Sequence, residues 1–142
     1  MKSCQVFFKD DLAFVFTQSV TASGLGMSCD PKFRVKANDR AELGDAVMKC
    51  LAASQEGVAD PEDFALYAKT MVQFAGEKSW GRLAKNTILR EVWLEAPAVR
   101  IVPFVAGVQG SFDERADQSV QCPHVSLEIA RCLLESIAGP KS

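Results

Sequence analysis

One histidine, His124, is all that the 142 residues contain, and that scarcity constrains the chemistry first. Every Ser-His-Asp or Cys-His scheme has to route through that ring, and a zinc site around it would need further ligands at regular spacing. Cys122 lies two residues before it and Cys132 eight residues after it, with no ligand paired to either. Cysteine is present but unorganised: Cys4, Cys29, Cys50, Cys122 and Cys132 are odd in number and form no C-x-x-C pair. Cys50 and Cys132 fall on apolar helical stripes, where a free thiol behaves as a small hydrophobe. Long apolar runs are missing too. The opening MKSCQVFFKDDLAFVF is interrupted by Lys9, Asp10 and Asp11, whereas a signal peptide needs a longer apolar stretch and a membrane span ~20 residues. A reduced, cytoplasmic protein is the expectation. Excess positive charge is also lacking. The formal net charge is −2 and the pI about 5.4, which argues against a generic binder of nucleic acid or anionic membrane, since both depend on a positive field.

What is present is an ordinary globular balance, 48% apolar and 24% charged residues, in a length that suits a single domain over residues 1–142. Such a chain buries roughly 68–70% of the surface its unfolded form exposes. Cys4–Phe8 and Leu12–Thr17 read as a hairpin, residues 21–31 as a turn-rich loop, and Lys32–Lys36 as a third strand. Leu43, Ala46, Val47, Cys50 and Leu51 form a helical stripe, with Asp39 as N-cap and Glu42 as its capping-box partner. Gly44 inside that helix costs ~1 kcal/mol against alanine, so close packing is the expected reason for it.

Asp60 as an acidic N-cap, with Pro61 at the first helical position, predicts the start of a second helix that turns Phe64, Tyr67, Ala68, Met71 and Ala75 inward and ends at Gly76. SWGRLAK predicts a short third helix with Trp80, Leu83 and Ala84 as its apolar side. Residues 87–95 and 98–104 alternate as strands about Ala96-Pro97, and Pro103 places the second at an edge or at its end. A polar loop over 109–118, a strand over Ser119–Cys122 and a helix with Val125, Ile129, Cys132, Leu133 and Ile137 in register, stopping at Gly139-Pro140, complete the chain. The expected class is α+β, a largely antiparallel sheet of about five to six strands covered by three to four helices.

Candidate chemistry is sparse, and no cofactor loop or metal set stands out. Gly24-Leu25-Gly26 lacks the following glycine and helix of a phosphate loop. Asp30 and Lys32, with Asp10 and Asp11 upstream, have the D-x-K spacing of metal-dependent nucleases, in which acids hold the metal and lysine positions water. That region, or His124, is the alternative reading as a small hydrolase. Asp113, Glu114 and Asp117 form an acidic set interrupted by Arg115. More informative is REVWLEA at 90–96. Ile88, Arg90, Val92 and Leu94 share one strand face, and Leu89, Glu91, Trp93 and Glu95 the other. The second face either lies under a helix, with the glutamates at its rim, or is kept for a partner, with Trp93 as anchor and the acids receiving Lys or Arg.

Two segments, ANDRAELGDAVMKCLAAS at 37–54 and EKSWGRLAK at 77–85, the latter followed by two strands running to IVP, resemble the immunity proteins of bacterial contact-dependent growth inhibition. The matching residues are Asp39, Glu42, Leu43, Gly44, Ala46, Val47, Lys78, Ser79, Trp80 and Pro103. The last helix has Leu127-Glu128 in place of a second L-G, and Ala96-Pro97 replaces the more usual Asp/Gly turn. The resemblance implies a small cytoplasmic protein, not an enzyme. It would bind the C-terminal toxin domain of a cognate effector, often a nuclease, and block it by occupying a surface. No catalytic residue is carried over. The partner-binding candidates are Glu91, Trp93, Glu95, Asp113, Glu114 and Asp117, since the basic cleft of a nuclease would be drawn to acidic patches.

Overall fold

The computed structural model describes residues 1–138, so the expected helix stop at Gly139-Pro140 lies outside the described residues. The hairpin forms as the alternation predicts. β1 (Ser3–Lys9) and β2 (Leu12–Thr21) pair antiparallel from Ser3↔Gln18 to Lys9↔Leu12. Asp10, at φ 53°, makes the left-handed step of the turn, a region that aspartate tolerates better than most residues.

β3 (Gly26–Lys36) is twice the length that the side chains suggested. Its first half has little apolar alternation, yet its backbone follows β2 through Thr17↔Cys29, Gln18↔Ser28 and Val20↔Gly26. The register shifts between Phe16↔Lys32 and Thr17↔Cys29. Asp30 and Pro31 are accommodated in that shift, and the Pro31 carbonyl accepts the Thr17 hydroxyl at 2.7 Å. Pairing of this kind is a backbone property, so residues 21–31 are mostly strand rather than loop.

α1 (Arg40–Ala53) begins as expected, with the Asp39 carboxylate accepting the Glu42 N–H at 3.0 Å. The reciprocal half of the capping box is not made, because the Asp39 N–H donates to the Lys36 carbonyl instead. α2 (Phe64–Phe74) is capped by Asp63, whose carboxylate accepts from Ala65 and Leu66 at 2.9 and 3.1 Å. Asp60 is therefore not the cap; it accepts the Ser23 hydroxyl at 3.0 Å and ties the 21–25 turn to the segment before α2. Gly76, at φ 72°, ends α2 in the left-handed region that favours glycine. α3 (Trp80–Asn86) starts at Ser79, which accepts the Arg82 N–H.

Beyond the six expected strands are two short ones. β4 (Glu56–Val58) lies parallel to β2, and β7 (Phe112–Glu114) lies in the stretch expected to be loop. With β5 (Ile88–Glu95), β6 (Ala98–Ala106) and β8 (Val120–Pro123) they complete an eight-stranded sheet of order β3-β2-β1-β5-β6-β7, β4 being beside β2 and β8 beside β6. All pairings but β2–β4 are antiparallel. Pro103 is inside this sheet, which corrects its placement at an edge. β6 has β5 on one side and both β7 and β8 on the other, and Pro103 falls between the β8 pairing (98–101) and the β7 pairing (104–106). Its carbonyl, which accepts the Arg115 N–H at 2.8 Å, points into that gap, so the missing proline N–H interrupts no ladder.

Helices lie on both faces of the sheet. α1 and α4 (Ser126–Ile137) cover one face, where Val6, Val15, Val92 and Ile101 pack with Leu43, Val47, Ile129 and Leu133. A Cβ on Gly44 would stand 2.2 Å from the Ser126 carbonyl oxygen, so glycine is what lets these two helices cross so closely. α2 and α3 cover part of the other face, burying Phe7, Phe14, Phe16 and Leu89 under Met71, Val72 and Leu83. Trp80 donates its indole N–H to the Gly110 carbonyl at 2.6 Å and stacks edge-on with Phe112, which fixes the chain as it enters β7. No helix is long and apolar enough to cross a membrane among the described residues.

Candidate partner-binding face

The alternation of β5 divides as the sequence predicts. Val92 is fully buried beneath α1 and α4, and Arg90 reaches α4 through Ser136, its Nε and Nη2 donating to the hydroxyl and carbonyl at 3.1 and 2.9 Å. The second face has two fates. Leu89 is buried in the α2–α3 core, whereas Glu91, Trp93 and Glu95 continue past the end of that cover.

Glu91 is not an outward-facing acid, which corrects its placement on an open face. It is only 8% exposed. Cross-strand neighbours enclose it, because Gln5 on β1 stands opposite Glu91 and Ser3 stands opposite both Trp93 and Gln18. The carboxylate accepts Gln5 Nε2 at 3.2 Å, Gln18 Nε2 at 3.3 Å and the Trp93 indole N–H at 2.8 Å. Burial pushes its carboxyl above the usual range, the bonds from Trp93, Gln5 and Gln18 draw it back, and the charge of Glu114 adds to the rise. Gln18 also accepts the Ser3 hydroxyl at 2.8 Å. Gln5 accepts from the Ser28 hydroxyl, and the Ser28 N–H donates to the Tyr67 oxygen. A continuous polar chain therefore runs across four strands to α2.

Trp93 is half-buried, with its N–H committed to Glu91. Glu95 is 37% exposed and holds Arg100 at 2.8 Å, while Arg100 also donates to the Ser119 hydroxyl at 3.0 Å. The acidic set at 113–117 is not brought together as one patch. Glu114 pairs with Phe104 and lies on the Glu91 side of the sheet, whereas Asp113 pairs with Val105 and points to the opposite face. Asp117 is exposed in a 3-10 turn over Ala116–Gln118.

Beside this network is an open groove of about 430 Å³ between the sheet and the N-terminal half of α2, with Phe64, Tyr67 and Trp80 on its helical side and Gln5 and Ser28 on its floor. Phe64, expected inward, is 51% exposed, because α2 closes onto the sheet only from Met71 onward. Gln5, Gln18, Ser28, Tyr67 and Arg100 were not singled out by sequence reasoning. Each belongs to this face through a pairing or a helix placement that its own neighbours in the chain do not encode.

The residues of the alternative reading are arranged otherwise. Lys32 pairs with Asp30 at 2.7 Å and stands over the Phe74 ring at 5.4 Å. His124 follows β8 and precedes the N-cap of α4, Val125. Gly24 belongs to the β2–β3 connection and Gly26 opens β3, so the stretch leads into a strand and not a helix. Among the described residues no three His, Cys, Asp or Glu side chains converge as metal ligands.

No protein-family model and no curated protein matches the sequence. Solved structures do match its fold. A protein of unknown function from Neisseria meningitidis superposes with a TM-score of 0.77 at 17% identity, over 96% of this chain and 93% of its own. A chain of the CdiA-CT/CdiI toxin and immunity complex from Yersinia pseudotuberculosis superposes with a TM-score of 0.70 at 15% identity, over 96% of this chain and 95% of its own. Over 96% of its length, this chain has the fold of those proteins.

Proposed function

We propose that this chain is a cytoplasmic, single-domain immunity protein that binds and neutralises the C-terminal toxin domain, a nuclease, of a cognate contact-dependent growth inhibition effector. The observation that carries the reading is the likeness over 96% of the chain to a chain of a toxin and immunity complex. The residues that resemble the immunity family serve the fold: Asp39 and Ser79 cap helices, Gly44 opens the α1–α4 crossing, and Trp80 anchors the entry to β7. Binding is assigned instead to the half-covered sheet face, with Trp93 as its anchor, Glu95 and Glu114 at its rim and Asp117 on the flanking turn. Asp113, on the other side of the sheet, takes no part.

The test is co-expression with the toxin domain of the effector encoded beside this protein, read as growth rescue and as a co-purified complex. Trp93→Ala is expected to weaken that complex by about tenfold or more, Glu95→Lys is expected to weaken it by a smaller factor, and His124→Ala to leave protection unchanged. A folded wild-type chain that neither binds nor protects would sink the proposal. Loss of protection in a folded His124→Ala variant would return attention to a catalytic role.

A further inference from the structure

We propose that Glu91 is the receptor for an arginine guanidinium carried by the partner protein, seated between the Glu91 carboxylate and the indole of Trp93, with Glu114 on the same face of the sheet. The inference rests on the immunity reading and names the chemistry of its partner.

Glu91 is 8% exposed, and every hydrogen bond it accepts comes from a neutral donor: Gln5, Gln18 or Trp93. Among the described residues no lysine, arginine or histidine forms an ion pair with it. The cation best placed to do so is Arg100, directly opposite Trp93 on β6. Its guanidinium is turned the other way, onto Glu95 and Ser119. The second charge that acts on Glu91 is Glu114, of the same sign. A buried charge without a counter-charge is costly; Glu91 reaches the groove only through Gln5, which lines it and donates to the carboxylate, and a cation from outside would supply the missing charge.

The acceptor geometry agrees. Oε2 takes both glutamine donors and Oε1 takes the indole, so one of the roughly four acceptor directions of the carboxylate stays open, on the Trp93 side. A flat guanidinium entering there can hydrogen-bond Oε1 and lie against the indole, whereas an ammonium group has no plane to match. Glu114 adds attraction at the rim without being enclosed.

The experiment uses the full chain and the toxin domain of the adjacent effector, with affinity measured by titration calorimetry. Glu91→Gln is expected to weaken binding by about tenfold and Glu114→Gln by about threefold. One toxin Arg→Met change should weaken wild type by a similar factor and add little to the Glu91→Gln loss, with Arg→Lys failing to restore it. The backbone amide resonances of β1 and β5 report whether the Glu91→Gln variant keeps its local structure. If it does not, the toxin arginine scan against the wild-type chain and Glu114→Gln decide the matter. Wild-type binding that no toxin arginine change weakens more than twofold overturns the inference and leaves the immunity reading standing. So does a well-formed Glu91→Gln variant within twofold of wild type. Absence of wild-type binding removes the immunity reading and this inference with it.

Discussion

Glu91 and Glu77 are both nearly enclosed carboxylates, and their surroundings move their proton affinities in opposite directions. Glu77 pairs with Lys9 at 2.7 Å and accepts the Asn86 amide at 3.2 Å. The Lys9 hydrogen bond, against some desolvation and with help from Asn86 and the charges of Lys9 and Arg82, holds its carboxyl below the usual range. Its contribution to stability is complete above the unfolded pKa and is lost as pH falls through the depressed folded value. Glu91, raised chiefly by burial, has the reverse sign: its charged form costs stability at neutral pH, and that cost is relieved as pH falls through the raised value. Urea unfolding from neutral to acid pH should therefore show a shallower acid decline for Glu77→Gln. For Glu91→Gln the decline should be steeper in the window between the ordinary and the raised carboxyl values. Equal slopes for the two variants would contradict the assignment. Only the types of these residues are legible in sequence. Trp93 is two residues from Glu91 and Asn86 nine from Glu77, but Lys9 lies 68 residues from Glu77 and Gln5 86 from Glu91.

At the scale of elements, the starts of helices separate local from non-local signals. Asp39 caps as its sequence context predicts, and Ser79 caps α3 in the same local way, because an N-cap bonds within its own turn. Asp60 and Asp63 are both acids before the same helix, and only the backbone path decides between them. Asp63→Ala is expected to cost about 1 kcal/mol, while Asp60→Ala, which removes the exposed link to Ser23 and no cap, should cost less than half of that. Chemical denaturation at constant m-value measures both, and equal losses would show the cap to be misassigned. β4 and β7, each three residues long, carry no periodicity that a reader of the sequence could use. They exist because a longer neighbour offers unpaired backbone groups.

For the molecule as a whole, the consequence of helices on both faces is two separate cores. Leu43 in α1 and Leu83 in α3 are each fully buried, on opposite sides of the sheet. Truncation of either to alanine is expected to cost about 2–5 kcal/mol. Because the two share no packing partner, the double variant should equal the sum of the singles within about 0.5 kcal/mol. Strong coupling in urea unfolding would mean that the sheet transmits strain between the cores. The same division leaves the face proposed for binding uncovered: α2 and α3 are too short to cover all of their side, and the polar chain from Ser3 to Tyr67 occupies the part they leave.

Local chemistry, read from the sequence alone, determined the elements whose information is local. These are the β1–β2 hairpin, the α1 stripe with its glycine, the Asp39 cap, the two faces of β5 and the α+β class. Periodicity and capping act over a few residues, so they are written in consecutive letters. Tertiary structure alone decided that Pro103 sits inside a sheet of eight strands, that β3 continues through 26–31, and that Glu91 is buried among Gln5, Gln18 and Trp93. Each depends on which strand lies beside which. That choice is made by the packing of whole layers, and no run of neighbouring residues contains it.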